Sequence, residues 1–196
     1  MTRIPSLMAV VLMASLLGGC GSSPTARFYT LKPDATLTNA GGPMPLRVVV
    51  NPVTIPDLVD RPQIVTRVAG NQVSLDEFAR WAEPLKGDIA RVVAADLGAL
   101  LGSERTSVFD TGSDVPPAWR VRVDVIRFDS MPGDAVTIEA QWTVWPPKKS
   151  VPVTGRSLEH EPVQGQGYDG LIAAHDRALA AVSRDIASAI RTSLAQ

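Results

Sequence analysis

The sequence predicts a single α/β domain, a mixed and largely antiparallel β-sheet with two long α-helices packed against it. Short apolar segments recur between prolines and glycines, several with strict period-two alternation. Two longer stretches repeat apolar residues at three- and four-residue steps. Their order is strands, helix, strands, helix, which suits a mixed sheet covered by both helices. Arg27-Phe28-Tyr29-Thr30-Leu31 reads as a first short strand, followed by a loop through Gly41-Gly42-Pro43 to Pro45. Leu46 to Asn51 is a continuous apolar strand, and Pro56 to Arg61 a turn. Gln63 to Ala69 and Gln72 to Ser74 read as strands joined at Gly70-Asn71, a dipeptide suited to the positive φ values of a tight hairpin.

Ser74-Leu75-Asp76-Glu77 has the form of a capping box, so a helix is expected to start there. Pro84 fits the first turn of a second helical segment, in which Leu85, Ile89, Val92, Val93, Leu97, Leu100 and Leu101 line one face until Gly102. Lys86, Asp88, Arg91 and Asp96 fall on the other face, a solvated surface by expectation. Trp119 to Asp129 alternates with Val121, Val123 and Val125 on one side. Val136, Ile138, Ala140, Trp142 and Val144 give the clearest period-two pattern, and the Asp129 to Asp134 turn makes the two segments a hairpin. A last strand near Val153 to Pro162 precedes a helix from about Tyr168 to Leu194, whose stripe contains His175.

The N-terminus carries a different message. Arg3 precedes an apolar run to Leu17, shorter than the roughly 20 residues of a spanning helix, and Leu17-Gly18-Gly19-Cys20 closes it with the only cysteine of the chain. This is the layout of a lipoprotein signal peptide over residues 1–19, with a thiol that receives a diacylglyceryl group and a freed amine that takes a third chain. Two or three acyl chains hold a protein on a membrane far more firmly than one. Gly21 rather than aspartate after the cysteine favours, in a Gram-negative envelope, sorting to the outer membrane. Residues 20–45 then form the lipidated tether, first strand and loop, and 46–196 the main domain, whose full extent is about 27–196.

Acidic and basic residues nearly balance, with a formal net charge of -1, so nothing argues for nucleic acid. A single cysteine allows no disulfide framework. Gly165-Gln166-Gly167-Tyr168-Asp169-Gly170 matches a dinucleotide fingerprint in letters, but no strand follows its helix to complete a βαβ unit. His160 and His175 are the only histidines, and Glu159-His160-Glu161 alternates across a strand, which fits edge-strand charge better than a metal site. Neither a paired nucleophile and base, nor a Gly-x-Ser-x-Gly elbow, nor a P-loop is present. The chain reads as a non-enzyme without cofactor or metal.

Asp57-Leu58-Val59-Asp60-Arg61-Pro62 and Arg80-Trp81-Ala82-Glu83-Pro84 are richer in charge and aromatic character than loops require. One reading has Asp60 and Arg61 tie a turn, Trp81 cap the core, and Arg80 pair with Glu83 at its rim. The other has Asp60, Arg61, Arg80, Trp81 and Glu83 form a contact surface for a partner or for a second copy in a homo-oligomer. The junction beside Pro84 makes complete burial of Trp81 difficult and tilts the balance to the second. Trp145-Pro146-Pro147-Lys148-Lys149 is an exposed loop or a further partner contact.

Taken together, the Leu-Gly-Gly-Cys box, Arg27 to Leu31, Ile55-Pro56 through Asp60-Arg61-Pro62-Gln63-Ile64-Val65-Thr66-Arg67, Arg80-Trp81-Ala82-Glu83-Pro84-Leu85 and Tyr168 into the last helix resemble the PqiC/YmbA-like ABC-type transport auxiliary lipoproteins. The resemblance implies a periplasm-facing outer-membrane lipoprotein, anchored by acyl chains on Cys20. It would work with an MCE-domain protein and its permease in moving lipid between the envelope membranes, and it implies no catalytic residue. The alternatives are a chaperone or assembly factor for an outer-membrane protein and, from another class, an envelope hydrolase.

Overall fold

The computed structural model describes residues 24–39, 41–108, 117–147 and 151–195. Its α/β architecture has two helices, as expected, but its strands form two sheets rather than one. The three-stranded sheet has the order β1-β4-β3, with β1 at Arg27–Tyr29, β3 at Gln63–Ala69 and β4 at Gln72–Trp81. The five-stranded sheet is ordered β5-β2-β6-β7-β8, comprising β2 (Arg47–Val50), β5 (Arg105–Ser107), β6 (Trp119–Ser130), β7 (Ala135–Trp145) and β8 (Val153–Pro162). Its β6, β7 and β8 run antiparallel in sequence, while β2 pairs in parallel with both β5 and β6. The hairpin β3-β4 bonds to β1 and shares no ladder with β6, which it meets through side chains such as Arg67 and Asp129, 2.8 Å apart.

The period-two pattern fixes the register of the large sheet. Val136, Ile138, Ala140, Trp142 and Val144 are all buried on one face of β7, beneath the last helix. That helix, α2 (Gly167–Leu194), crosses β7 and β8 and packs on α1 (Leu85–Leu101), which covers β2 and β5. The ring of Trp142 lies over Gly155 on β8, where a Cβ would come within 2.1 Å of it, so this close approach requires glycine. Its indole N–H donates to Ser157 Oγ at 3.0 Å.

The capping box at Ser74 starts no helix. Ser74, Leu75 and Asp76 pair with Thr66, Val65 and Ile64 in β3, so the hairpin turned at Gly70-Asn71 takes these residues into the sheet. Cross-strand pairing outweighs the local helical signal. Asp76 does accept backbone N–H groups, from Phe78 at 2.8 Å and Ala79 at 3.1 Å, but it thereby shapes a bulge between the Ile64 and Gln63 pairings. Those bonds, from Phe78 first, hold its carboxyl below the usual range.

The expectation of a solvated face on α1 is also overturned at Asp88 and Asp96, both buried. Each accepts a backbone amide from the segment after β1. Leu31 N–H donates to Asp88 Oδ2 at 2.8 Å, Lys32 N–H to Asp176 Oδ1 at 2.9 Å, and Asp34 N–H to Asp96 Oδ1 at 3.1 Å. Extended backbone laid between two helices has no ladder to satisfy it, and carboxylates supply the acceptors. Ser183 on α2 meets Asp96 at 3.3 Å, and Arg191 on α2 bonds the Leu100 carbonyl. Contacts that climb both helices in the same order make α1 and α2 parallel.

Burial pushes Asp96 up to about 7 and Asp176 up to about 6, with Asp34 and Asp176 adding repulsion at Asp96, while Arg184 pairs with Asp34 at 3.5 Å. An acid whose folded value is raised contributes stability that is full below its unfolded value and is lost as pH rises through the folded one. The stability gap between wild type and Asp96→Asn should therefore shift by on the order of 2 kcal/mol between pH 5.5 and pH 8, with the variant gaining relative to wild type as pH rises. Denaturant melts of both proteins at the two pH values check this, and a pH-independent gap would mean that Asp96 is charged throughout.

Candidate functional site

Two chain segments converge at the end of the domain where α1 begins. In the first, the amides of Val59 and Asp60 both donate to the Pro56 carbonyl, at 3.0 and 3.2 Å, and Val59 is buried beneath them. The tight turn thereby carries Asp60 and Arg61 outward. In the second, Trp81 N–H donates to the Pro62 carbonyl at 2.7 Å and Ala82 N–H to the Tyr29 carbonyl at 2.8 Å, after which Pro84 opens the helix. Between them lies a cavity of about 550 Å³, lined by Asp60, Arg61, Pro62 and the run from Trp81 to Lys86. Its walls are proline, tryptophan, alanine and leucine, and its rim is charged. Lys86 Nζ meets Asp60 at 3.1 Å across the mouth, and Glu83 is held at 3.1 Å by Arg91, which also pairs with Asp88. Arg61 Nε is buried with no hydrogen-bond partner among the described residues.

Four of the six contact residues named from the sequence, Asp60, Arg61, Trp81 and Glu83, thus line one cavity. Arg80 does not: alternation along β4 turns it to the opposite side, where it meets Glu77 at 3.4 Å, and the Arg80 to Glu83 rim pair is not made. Trp145 lies elsewhere, opposite Arg120 on β6, whereas Trp81 touches Phe128 eight residues along that strand, or about 26 Å away. Lys86, which the helical wheel places among solvated charges, was missed as a rim residue. Its signal is its position two residues after Pro84, in the first turn of α1, together with an acidic loop at Asp57 and Asp60. Cys20, Lys148 and Lys149 lie outside the described residues.

Trp81 is only 5% exposed although it lines the cavity, so the burial that the Pro84 junction was expected to prevent is nearly complete. Its ring meets Phe128 edge-on at 6.3 Å, and Phe128 stacks on His175 at 4.1 Å. His175 Nε2 is bonded to Ser130 Oγ at 2.8 Å. Local patterns could not reveal this serine and histidine pair, because 45 residues separate them. Both are buried, and burial lowers His175 to about 3, so the ring is neutral and sealed in the core rather than open to a substrate. His160 is bonded to Thr137 at 3.0 Å and Glu161 to Arg177 at 3.2 Å, as separate contacts of the edge strand β8. Among the described residues no group of His, Cys, Asp and Glu is placed to hold a metal, and no helix is long and apolar enough to cross a membrane. Gly170 packs against the Gln164 carbonyl, where a Cβ would approach to 2.5 Å, so the glycine run serves a tight entry to α2.

Because Trp81 fills the junction of both sheets and α2, Trp81→Ala should cost about 3–5 kcal/mol in denaturant unfolding, as truncation of buried aromatics does. Trp81→Phe should recover most of that loss. Equal stability of the alanine variant and wild type would show that the indole contributes little to the core.

The family model for the ABC-type transport auxiliary lipoprotein component matches residues 29–187, a span that contains both cavity segments. Among solved structures, a crystal structure titled only as an uncharacterized protein aligns with a TM-score of 0.69 and 22% identity, covering 85% of this chain and 99% of that one. The crystal structure of protein XCC0632 from Xanthomonas campestris, of the DUF330 family, aligns with a TM-score of 0.60 and 16% identity, covering 82% of this chain and 92% of that one. At these identities the two structures share the fold. No curated protein matches in sequence. The chain belongs to the family of ABC-type transport auxiliary lipoprotein components.

Proposed function

We propose that this protein is an outer-membrane lipoprotein, held facing the periplasm by acyl chains on Cys20. In this reading it is a non-catalytic part of an MCE and ABC-type system that moves lipid between membranes, and it docks a periplasmic MCE-domain protein at the cavity between Asp60 and Lys86. The observation that carries the reading is the convergence of the two charged and aromatic blocks on that cavity. Arg61, whose buried Nε makes no bond among the described residues, adds a cationic donor to the cavity wall. Apolar walls around a rigid Trp81, rimmed by paired charges, have the make-up of a protein contact. Family membership supplies the transport class, and Leu17-Gly18-Gly19-Cys20 supplies the anchor. The burial of Ser130 and His175 supports a role without catalysis.

The anchor is tested by Cys20→Ser, which should abolish labelling by radioactive fatty acid and remove the protein from the outer-membrane fraction. Unchanged fractionation of the lipid-free variant would refute it. For docking, Ala82 is the useful position, since it lines the cavity, it is exposed, and its bond to the Tyr29 carbonyl is made by its backbone N–H. Ala82→Arg should change folding stability by no more than about 0.5 kcal/mol, as surface substitutions do, yet prevent co-purification of the MCE-domain protein from envelope extracts. Full retention of that partner would move the docking surface elsewhere.

A further inference from the structure

The small sheet has a second face, on which Phe28 and Phe78 are exposed among the described residues. Tyr29 and Trp81 pair across β1 and β4 and point inward, Tyr29 onto Tyr168 with ring centroids 5.5 Å apart. The alternate positions, Phe28 and Arg80, are likewise paired and point outward, with Phe78 two residues back along β4. Phe28 is 63% exposed and Phe78 43%. Two phenylalanines left in water on adjacent strands, on the same face as Arg80, mark a surface built for another phase or molecule.

The chain itself says which. Eight residues separate Cys20 from Phe28, and fully extended they reach at most about 28 Å. Phe28 also borders a groove with Asp169 and Ile172, at the start of α2, whereas Leu194 lies 25 residues further along that helix, about 37 Å away. An anchor at Cys20 therefore keeps this end of the domain close to the bilayer and leaves the other end remote. We infer that the outward face of β1 and β4, with Phe28 and Phe78 inserted among acyl chains and Arg80 at phosphate level, rests on a phospholipid surface. Aromatic rings beside a guanidinium group fit the boundary between headgroups and hydrocarbon. The inference rests on the proposed lipidation and adds to it a fixed orientation: the cavity at Trp81 opens on the other side of β4.

In the acylated protein the sulfur of Cys20 is a thioether and takes no thiol label, so Phe28→Cys, Phe78→Cys and Leu194→Cys can each be labelled singly with an environment-sensitive fluorophore. Reconstituted into vesicles of phosphatidylethanolamine and phosphatidylglycerol, labels at 28 and 78 should shift to the blue and be quenched several-fold more by nitroxide lipids than the label at 194. Because all three side chains are exposed, the variants should fold, and their melting points verify it. Vesicle-bound protein with equal quenching at the three positions overturns the face and leaves the anchor standing. Failure to float with vesicles overturns the anchor reading and this inference together. Protection of 28 and 78 that grows with protein concentration and ignores the nitroxide assigns the face to a second copy and overturns the lipid.

Discussion

The contact from Trp81 through Phe128 to His175 is the one on which the remainder of the fold depends, because each ring belongs to a different layer. Trp81 ends the small sheet, Phe128 lies near the end of β6 in the large sheet, and His175 sits on α2. The sheets share no hydrogen-bonded strand pair, so side chains must fix their relation. Stacking against Phe128 suits a neutral imidazole, and a buried imidazolium would be strongly disfavoured. A histidine held down to about 3 contributes stability above its unfolded value, and that contribution fades as pH falls through the range between the two. Asp96 and Asp176 act in the opposite sense. The domain thus carries opposing proton linkages that flatten its response to mild acid.

The second constraint is the strap between β1 and β2, which must pass from one sheet to the other across the paired helices. Leu31, Lys32 and Asp34 make this crossing by handing their amides to Asp88, Asp176 and Asp96. Removing Asp88 would leave the buried Leu31 amide bare, so this acid is fixed by the backbone it serves and not by its own solvation. The same arrangement closes the groove between α1 and α2 and places both helix starts at the end that holds the cavity.

Long periodic signals were legible in the sequence. The alternation through Val136 to Val144, the stripe of α2 and the stop at Gly102 all appear where the residues put them. Two misreadings share a cause. Ser74 to Glu77 has local capping chemistry, but the hairpin partner in β3 decides its state. Asp88 and Asp96 look solvated on a helical wheel, but the strap that covers them is some 60 residues away in sequence. The candidate site was visible as excess charge and aromatic character in two blocks, though neither block reveals that the other faces it. Arg80 shows the limit most plainly: it adjoins Trp81 in sequence and lies on the other side of the strand.

Placing β1 parallel to β4 has a mechanical meaning. A pull on the chain upstream of Arg27, directed along the strand, loads the three pairings of Arg27, Phe28 and Tyr29 with β4 side by side, in shear, rather than peeling them in turn. Immediately behind them stand the bonds of the strap to α1 and α2. Since the Tyr29 carbonyl takes the amide of Ala82, tension entering from upstream of Arg27 reaches the cavity wall through one strand pair. The large sheet and the far ends of both helices stay outside that line of force.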